Sequence, residues 1–134
     1  MTTNAMTNYL ETKVLQFVLN NNAGSLSAVS TIYLALFTAD PTETGSLSNE
    51  ISTSGTGYGR QAVPFTTANN ASANTNNIEF SAAQSSWGTV THIGIMDAST
   101  SGNMLFHGAL TVSKTIDTND IFRINAGDLD ITID

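Results

Sequence analysis

The sequence predicts a mainly β protein: an antiparallel β-sandwich of about seven strands, jelly-roll or immunoglobulin-like, preceded by one N-terminal amphipathic helix. Residues 87–97 and 104–110 are two β-rich runs that flank a short stretch of turn formers, which is typical of a long antiparallel hairpin. Elsewhere, β-rich runs alternate with turn-forming residues about every ten positions, as in a sandwich. The 134 residues fit a single domain, residues 1–134, with the helix over about 5–20 and the sandwich over about 30–134.

The helix is predicted by apolar residues that recur at spacings of three and four. Between positions 6 and 19 they are Met6, Leu10, Val14, Phe17 and Val18, with Tyr9, Leu15 and Leu19 widening the stripe. Asn4 or Asn8 is expected to cap its start, where the helix dipole also favours Glu11, and the polar and glycine residues at 20–24 are expected to end it. Because a short helix is marginal alone, its apolar face must pack on its own sheet or on a neighbouring subunit.

The first predicted strand covers residues 31–38, where apolar residues occupy both alternating faces. This pattern predicts a central strand that is covered on both sides. Asp40 and Pro41 end the strand, since aspartate favours a turn and proline cannot donate to a sheet ladder. The residues that follow, to Gly57, are rich in Gly, Ser and Thr and form the longest predicted loop, a candidate hook for a neighbouring subunit.

A further strand is predicted at residues 58–65, with Pro64 indicating an edge or a bulge near its end. Residues 66–77 are polar and without periodicity, so they predict an exposed connection. Gly55 and Gly57 precede the strand and predict a turn with positive φ, since no Lys-Ser/Thr follows to make a phosphate loop.

Short strands are also predicted at residues 78–80 and 121–124. The last strand, residues 129–133, alternates apolar and polar side chains. Leu129, Ile131 and Ile133 are therefore expected to face the core, with the acids between them facing solvent.

Composition and charge exclude several functions. The chain has 4 Lys and Arg against 11 Asp and Glu, a net charge of −7, which argues against nucleic acid because phosphate contacts need clustered cations. It has no cysteine, hence no disulfide and no thiolate metal site. No segment approaches the roughly 20 apolar residues of a membrane span, and no secretory signal is evident. We therefore expect no membrane partner and synthesis in the cytoplasm of the producing cell.

Candidate metal ligands are few. His92 and His107 lie on the two arms of the predicted hairpin, but no further His or Cys completes a zinc site, so packed or hydrogen-bonded histidines are favoured. Calcium is the more serious candidate because five acids lie on or beside turns: Asp97, Asp117, Asp120, Asp128 and Asp130. Turn formation already explains these acids, whose spacing does not fit an EF-hand. We predict no metal, no cofactor and no enzymatic activity.

Two kinds of ion pair are possible for Arg60. It either forms an ion pair across a subunit boundary, or it pairs locally with Glu43, Glu50 or a carbonyl, and the local pair is favoured because surface ion pairs contribute little.

Trp87 is expected to plug the core, which Ile93, Ile95 and Phe106 should also hold. The alternative is an exposed ring that stacks on a sugar.

Three segments resemble a known group of proteins: residues 32–41 (IYLALFTADP), residues 57–63 (GYGRQAV) and the hairpin of residues 87–110. With them, nearly the whole chain resembles small tailed-bacteriophage virion proteins, usually labelled tail-fibre or capsid decoration (cement) proteins. The shared motifs are structural and none is catalytic. The resemblance implies a component of the particle surface, and threefold self-association is common among such decoration proteins.

The sequence thus predicts a phage virion structural protein, first a capsid decoration or cement protein that forms homo-oligomers and binds the major capsid protein. Without an internal repeat or heptads the chain supplies one globule and no fibre shaft. A tail-fibre, tail or neck accessory protein, bound to other virion proteins, is the alternative, and a carbohydrate-binding sandwich module is a second. The predicted interface consists of Leu10, Val14, Phe17, Asp40, Glu43, Glu50 and Arg60.

Overall fold

The computed structural model describes residues 3–133, and within them it contains ten strands and one helix. The elements are β1 (Thr3–Met6), α1 (Asn8–Leu19), β2 (Tyr33–Phe37), β3 (Gln61–Ala62), β4 (Phe65–Ala68), β5 (Ala71–Asn74), β6 (Ile78–Glu79), β7 (Gly88–Met96), β8 (Met104–Ile116), β9 (Arg123–Ile124) and β10 (Asp130–Thr132). The predicted class, mainly β and antiparallel with one helix, is confirmed. More strands are present than the seven expected, because several have only two to four residues and leave no periodic pattern in the sequence. No helix in the described part of the chain is long and apolar enough to cross a membrane.

The strands form three antiparallel sheets. The largest has the order β1-β8-β7-β2-β3, a second has the order β10-β5-β4, and β6 pairs with β9. The predicted hairpin forms the centre of the largest sheet. Its strands β7 and β8 pair along their length, with Ile93 opposite Gly108 and Ile95 opposite Phe106. β8 also pairs with β1, a strand that the sequence did not predict, because four residues beside a helix show no period of their own.

The main core lies between the five-stranded sheet and the two smaller sheets. Leu34, Leu36, Ile93 and Ile95 from the large sheet belong to one buried cluster with Ile131 of β10. The two smaller sheets together cover only part of the large sheet, since Phe106 and Leu110 of β8 are half-buried at the margin of this cluster.

Strand β2 is buried on both faces, as predicted for a central strand. Its alternate residues Ala35 and Phe37 point away from the main core into a second cluster with Met96 and Met104. Leu47, from the loop after β2, packs on this second cluster. The loop therefore forms a cover over the outer face of the sheet.

Gly94 of β7 has no room for a side chain. An added Cβ would lie 2.8 Å from Met104 Cε and 3.0 Å from Phe37 Cε2. The glycine lets these two side chains pack directly on the backbone of the sheet.

Trp87 plugs the core, as predicted. Its side chain is 4% exposed, and its Nε1 donates to the Thr56 carbonyl at 2.9 Å. Its ring centroid lies 5.5 Å from that of Tyr58 and 6.1 Å from that of Phe80. A tryptophan in this position has no face free for a sugar, so the sugar-platform alternative is disfavoured.

Residues 66–77 are mostly exposed, as predicted, but they form strands and not a simple connection. β4 and β5 form a hairpin there, and β10 pairs with β5. Asn74 fixes the hairpin to the C-terminal turn: its Oδ1 accepts from Leu129 N at 2.9 Å, and its Nδ2 donates to Asn125 O at 3.0 Å. The hairpin is mostly exposed and shows no apolar alternation, which is why the pattern missed it.

Two other strand predictions also need correction. Residues 58–65 do not form one strand: β3 has two residues, and Pro64 separates it from β4 because proline cannot donate to the ladder. Ile133, expected in the core, is 47% exposed, whereas Leu129 and Ile131 are buried. Ile133 lies beyond the end of β10, past the ladder that covers its neighbours.

Candidate interaction surface

Helix α1 is attached to the sandwich at its first turn. Thr7, 1% exposed, is the N-cap: its Oγ1 accepts from Leu10 N at 3.5 Å and also donates to the Met104 carbonyl. The cap predicted at Asn4 or Asn8 is wrong, because Asn4 lies in β1 and Asn8 is already helical. The Thr7 hydroxyl thus caps the helix and helps to hold it to β8, where Thr7 N also donates to the Leu105 carbonyl at 3.0 Å.

Beyond this turn α1 is only partly covered, and none of its residues is buried. Leu10 and Val14 are half-buried, while Phe17 is 45%, Val18 66% and Leu19 72% exposed. A helix that is apolar on most sides is normally buried. The sequence left open whether the helix packs on its own sheet or on a neighbouring subunit. The chain's own sheet covers only about half of the apolar helix surface.

The loop between β2 and β3, the longest loop predicted from the sequence, is folded. Pro41, Ile51 and Thr56 are buried, and Glu50 forms an isolated bridge with Phe37. Tight turns shape it, with Gly55 and Gly57 at φ of +71° and +74° as predicted.

Two predicted interface acids lie where this loop meets the helix and the large sheet. Glu43 is exposed, and its carbonyl accepts from Asn8 N at 2.9 Å. Asp40 has a side chain that is 54% exposed and accepts from Thr42 N at 2.8 Å.

Arg60 and Glu50 form an ion pair within the chain. Arg60 Nε and Nη2 each donate to one Glu50 carboxylate oxygen at 2.8 Å. Arg60 Nη1 donates to the carbonyls of Ala98 and Ser101, in the β7–β8 turn, at 2.8 and 2.7 Å. The Arg60 side chain is only 3% exposed. The local alternative therefore describes the structure, and Arg60 joins the loop after β2 to the tip of the hairpin.

Tyr58 completes this arrangement, which we call the arginine clamp (Glu50, Tyr58 and Arg60). The Tyr58 hydroxyl donates to Glu50 Oε1 at 2.9 Å and accepts from Leu36 N at 3.0 Å. Burial, and then the negative charge of Glu50, raise the pKa of Tyr58 far above its ordinary value. The hydrogen bonds to Glu50 raise the pKa of Arg60 as well. Sequence patterns gave no indication of this role for Tyr58, since its partner Leu36 lies 22 positions away, on β2.

His92 and His107 line one small cavity on the outer face of the large sheet, with Asp40 at its edge. Its volume is about 150 Å³. His92 Nδ1 shares a hydrogen bond with Thr91 Oγ1 at 2.8 Å. His107 Nδ1 lies 3.6 Å from Asp40 Oδ1, and neither ring nitrogen of His107 has a hydrogen-bond partner. Although both rings border this cavity, they and Asp40 are not grouped so that they could hold a metal ion.

The acids at the turns serve the turns. Asp97 accepts from Asn103 N at 2.7 Å, and Asp120 accepts from Asp117 N at 2.9 Å. Across residues 3–133, no three His, Asp or Glu side chains are grouped so that they could hold a metal ion.

The described residues thus form a β-sandwich with a partly covered helix and an internal clamp. Comparison with protein families identifies its class: residues 5–132 match the family described as Podophage GP4 fiber I protein gp80, and the chain belongs to this family. It is a phage virion structural protein, a class that is typically non-enzymatic. Among the two roles expected within the virion, the family favours tail fibre and gives no support to capsid decoration. A search of curated proteins finds no match.

Proposed function

We propose that this protein is a structural component of a podophage tail fibre, which assembles with copies of itself through the N-terminal helix. The family match carries the assignment to the fibre. The proposal of self-assembly depends on α1, which has no buried residue in the isolated chain. The predicted interface residues Leu10, Val14 and Phe17 lie on this helix.

The arginine clamp has a different role in this proposal. Arg60 and Glu50 form an ion pair with each other inside the chain. We assign them to holding the loop and the hairpin tip in one shape, so that the surface near Asp40 and Glu43 is presented rigidly to neighbours.

Capsid decoration, with binding to the major capsid protein, is the second candidate. One observation favours it: the sequence has no repeat from which a fibre shaft could be built, and the described residues form a sandwich with one short helix.

Counting and locating the protein on purified virions tests both candidates. Quantitative mass spectrometry would give its copy number relative to the major capsid protein, and gold-labelled antibodies would locate it by negative-stain microscopy. A few copies, in multiples of three or six, with label at the tail are expected. Hundreds of copies with label over the capsid would support decoration instead. Absence from the virion would refute both candidates.

A further inference from the structure

Exposed apolar side chains are concentrated in one segment of the molecule. Of the ten large apolar side chains that are exposed among the described residues, seven lie in residues 9–29. They are Tyr9, Leu15, Phe17, Val18, Leu19, Leu26 and Val29. We call residues 9–31 the arm.

The hydrogen bonds that join the arm to the sandwich lie at its two ends. At one end Asn8 N donates to Glu43 O at 2.9 Å, and at the other Val63 N donates to Ile32 O at 2.8 Å. In the part of the chain that the structure describes, the hydrogen bonds of residues 9–31 are made within the arm or to the cap residue Thr7. Apolar packing alone holds the middle of the arm in place.

An apolar groove lies beside the arm. The first of its two cavities, about 410 Å³, lies between Val14 and Leu15 of the arm and the sheet. The second, about 470 Å³, lies between the β4–β5 hairpin and the large sheet. Phe106 and Ile133 line both cavities, so the two adjoin. We call the second cavity the hairpin groove; its apolar lining includes Ile32, Phe65, Ile95 and Ile131.

The arm and the hairpin groove match in charge. Residues 14–39 contain no charged residue, and neither do residues 61–78, which include the whole β4–β5 hairpin. None of the residues that line the hairpin groove is charged. In a chain of net charge −7, a contact made through uncharged surfaces avoids placing the acids of two copies against one another. The groove and residues 14–31 of the arm are such surfaces, whereas Glu11 and Lys13 lie nearer the start of the arm.

The size of the arm also fits an interface. With about 200 Å² for a large side chain, the exposed fractions amount to on the order of 700 Å² of apolar surface. A standard interface buries roughly 800 Å² on each partner.

We propose that the arm of one copy docks in the hairpin groove of the next copy, in a head-to-tail contact. The inference deepens the proposed self-assembly and rests on it. A contact between two different surfaces closes into a ring when the rotation permits and otherwise continues as a filament. Either form suits a component of a fibre.

Cysteine cross-linking tests this contact, because the chain has no cysteine of its own. Val18→Cys and Thr67→Cys are made as separate proteins, mixed and oxidised. Thr67 lines the groove and is exposed. Docking predicts a disulfide between the two variants, and none when Thr67→Cys is replaced by Ser54→Cys, an exposed position in the loop after β2. Val18→Cys dimers in place of the mixed product would show an arm-to-arm contact and overturn the proposal.

A charge substitution gives an independent measurement by size-exclusion chromatography with light scattering. Val18→Glu should weaken self-association roughly tenfold or more, since docking would bury an unpaired carboxylate. Val112→Glu is the matched control, because Val112 is 62% exposed against 66% for Val18 but lies outside the arm. Equal effects of both variants, or a wild-type chain that stays monomeric at high concentration, would refute the docking. The fibre assignment would stand in that case, since it is tested by location on the virion.

Discussion

The arginine clamp makes a quantitative prediction about stability. Arg60→Ala removes four hydrogen bonds: two to the Glu50 carboxylate, both 2.8 Å, and two to turn carbonyls at 2.8 and 2.7 Å. It leaves the Glu50 side chain, 16% exposed, without its counter-ion. Removing one partner of a buried ion pair costs about 3 to 5 kcal/mol. Because Glu50 retains some solvent and the Tyr58 hydroxyl, we expect the lower end, about 3 kcal/mol.

Urea unfolding followed by the fluorescence of Trp87, the one tryptophan of the chain, measures this loss. Arg123→Ala is the matched control: its Nη1 lies 3.7 Å from Glu79 Oε2, and the two side chains are 49% and 55% exposed. An exposed pair of this kind contributes about 0 to 1 kcal/mol. The loss of about 3 kcal/mol for Arg60→Ala should lower the melting temperature by roughly 10 °C in a chain of this length.

A double-mutant cycle separates the pair from other effects of the substitution. Adding Glu50→Gln to Arg60→Ala removes the charge that the first change leaves unpaired, so the double variant should be less destabilised than the two single losses added together. Arg60→Lys should fall between wild type and Arg60→Ala, because lysine keeps the charge but not the planar fork. The reasoning would be refuted if Arg60→Ala cost no more than Arg123→Ala, or if the two losses at positions 50 and 60 simply added.

Three further predictions concern single side chains. The pKa of Tyr58 is raised in the folded state, so below pH 10.0, its ordinary pKa, this group contributes a constant amount to stability. Above pH 10.0 only the unfolded chain releases the Tyr58 proton. The free energy of unfolding should then fall by about 1.4 kcal/mol per pH unit because of this group. Urea unfolding between pH 9 and 11 should show a shallower fall for Tyr58→Phe than for Tyr9→Phe, and equal slopes would contradict the assignment. Gly94→Ala should cost about 1 to 3 kcal/mol, because the added Cβ overlaps the two side chains packed on this glycine. Gly59→Ala, with no atom within 4 Å of an added Cβ, serves as its control in the same assay, and similar losses would argue against tight packing at Gly94. Thr7→Val should lower the free energy of unfolding by about 1 to 3 kcal/mol, since it removes the cap of α1 and the donor to the Met104 carbonyl of β8. Circular dichroism at 222 nm should show reduced helix content. Unchanged stability would mean that the cap is dispensable.

Interactions between distant segments could not be predicted. Arg60 contacts carbonyls that are 38 and 41 positions away in the chain. The Asn74 side chain accepts a hydrogen bond from Leu129 N, which is 55 positions away. A sequence pattern reports the environment along one segment, whereas these partners depend on which turns the completed fold brings together. The β4–β5 hairpin was missed for the same reason, because it is held by such contacts and not by its own apolar alternation.

What the sequence by itself determined was local in origin. Two-sided burial of β2 follows from its unbroken apolar run, the β7–β8 hairpin from two β-rich runs around turn formers, and the buried position of Trp87 from its size and apolar character. Tertiary structure decided which of its possible local partners Arg60 takes, namely Glu50 and the carbonyls of Ala98 and Ser101. It also decided which apolar surface is left uncovered. The sequence pattern of the helix shows that it has an apolar face but not what covers this face. The cover depends on how far the sheet extends beneath the helix, and here the sheet covers only half of the face.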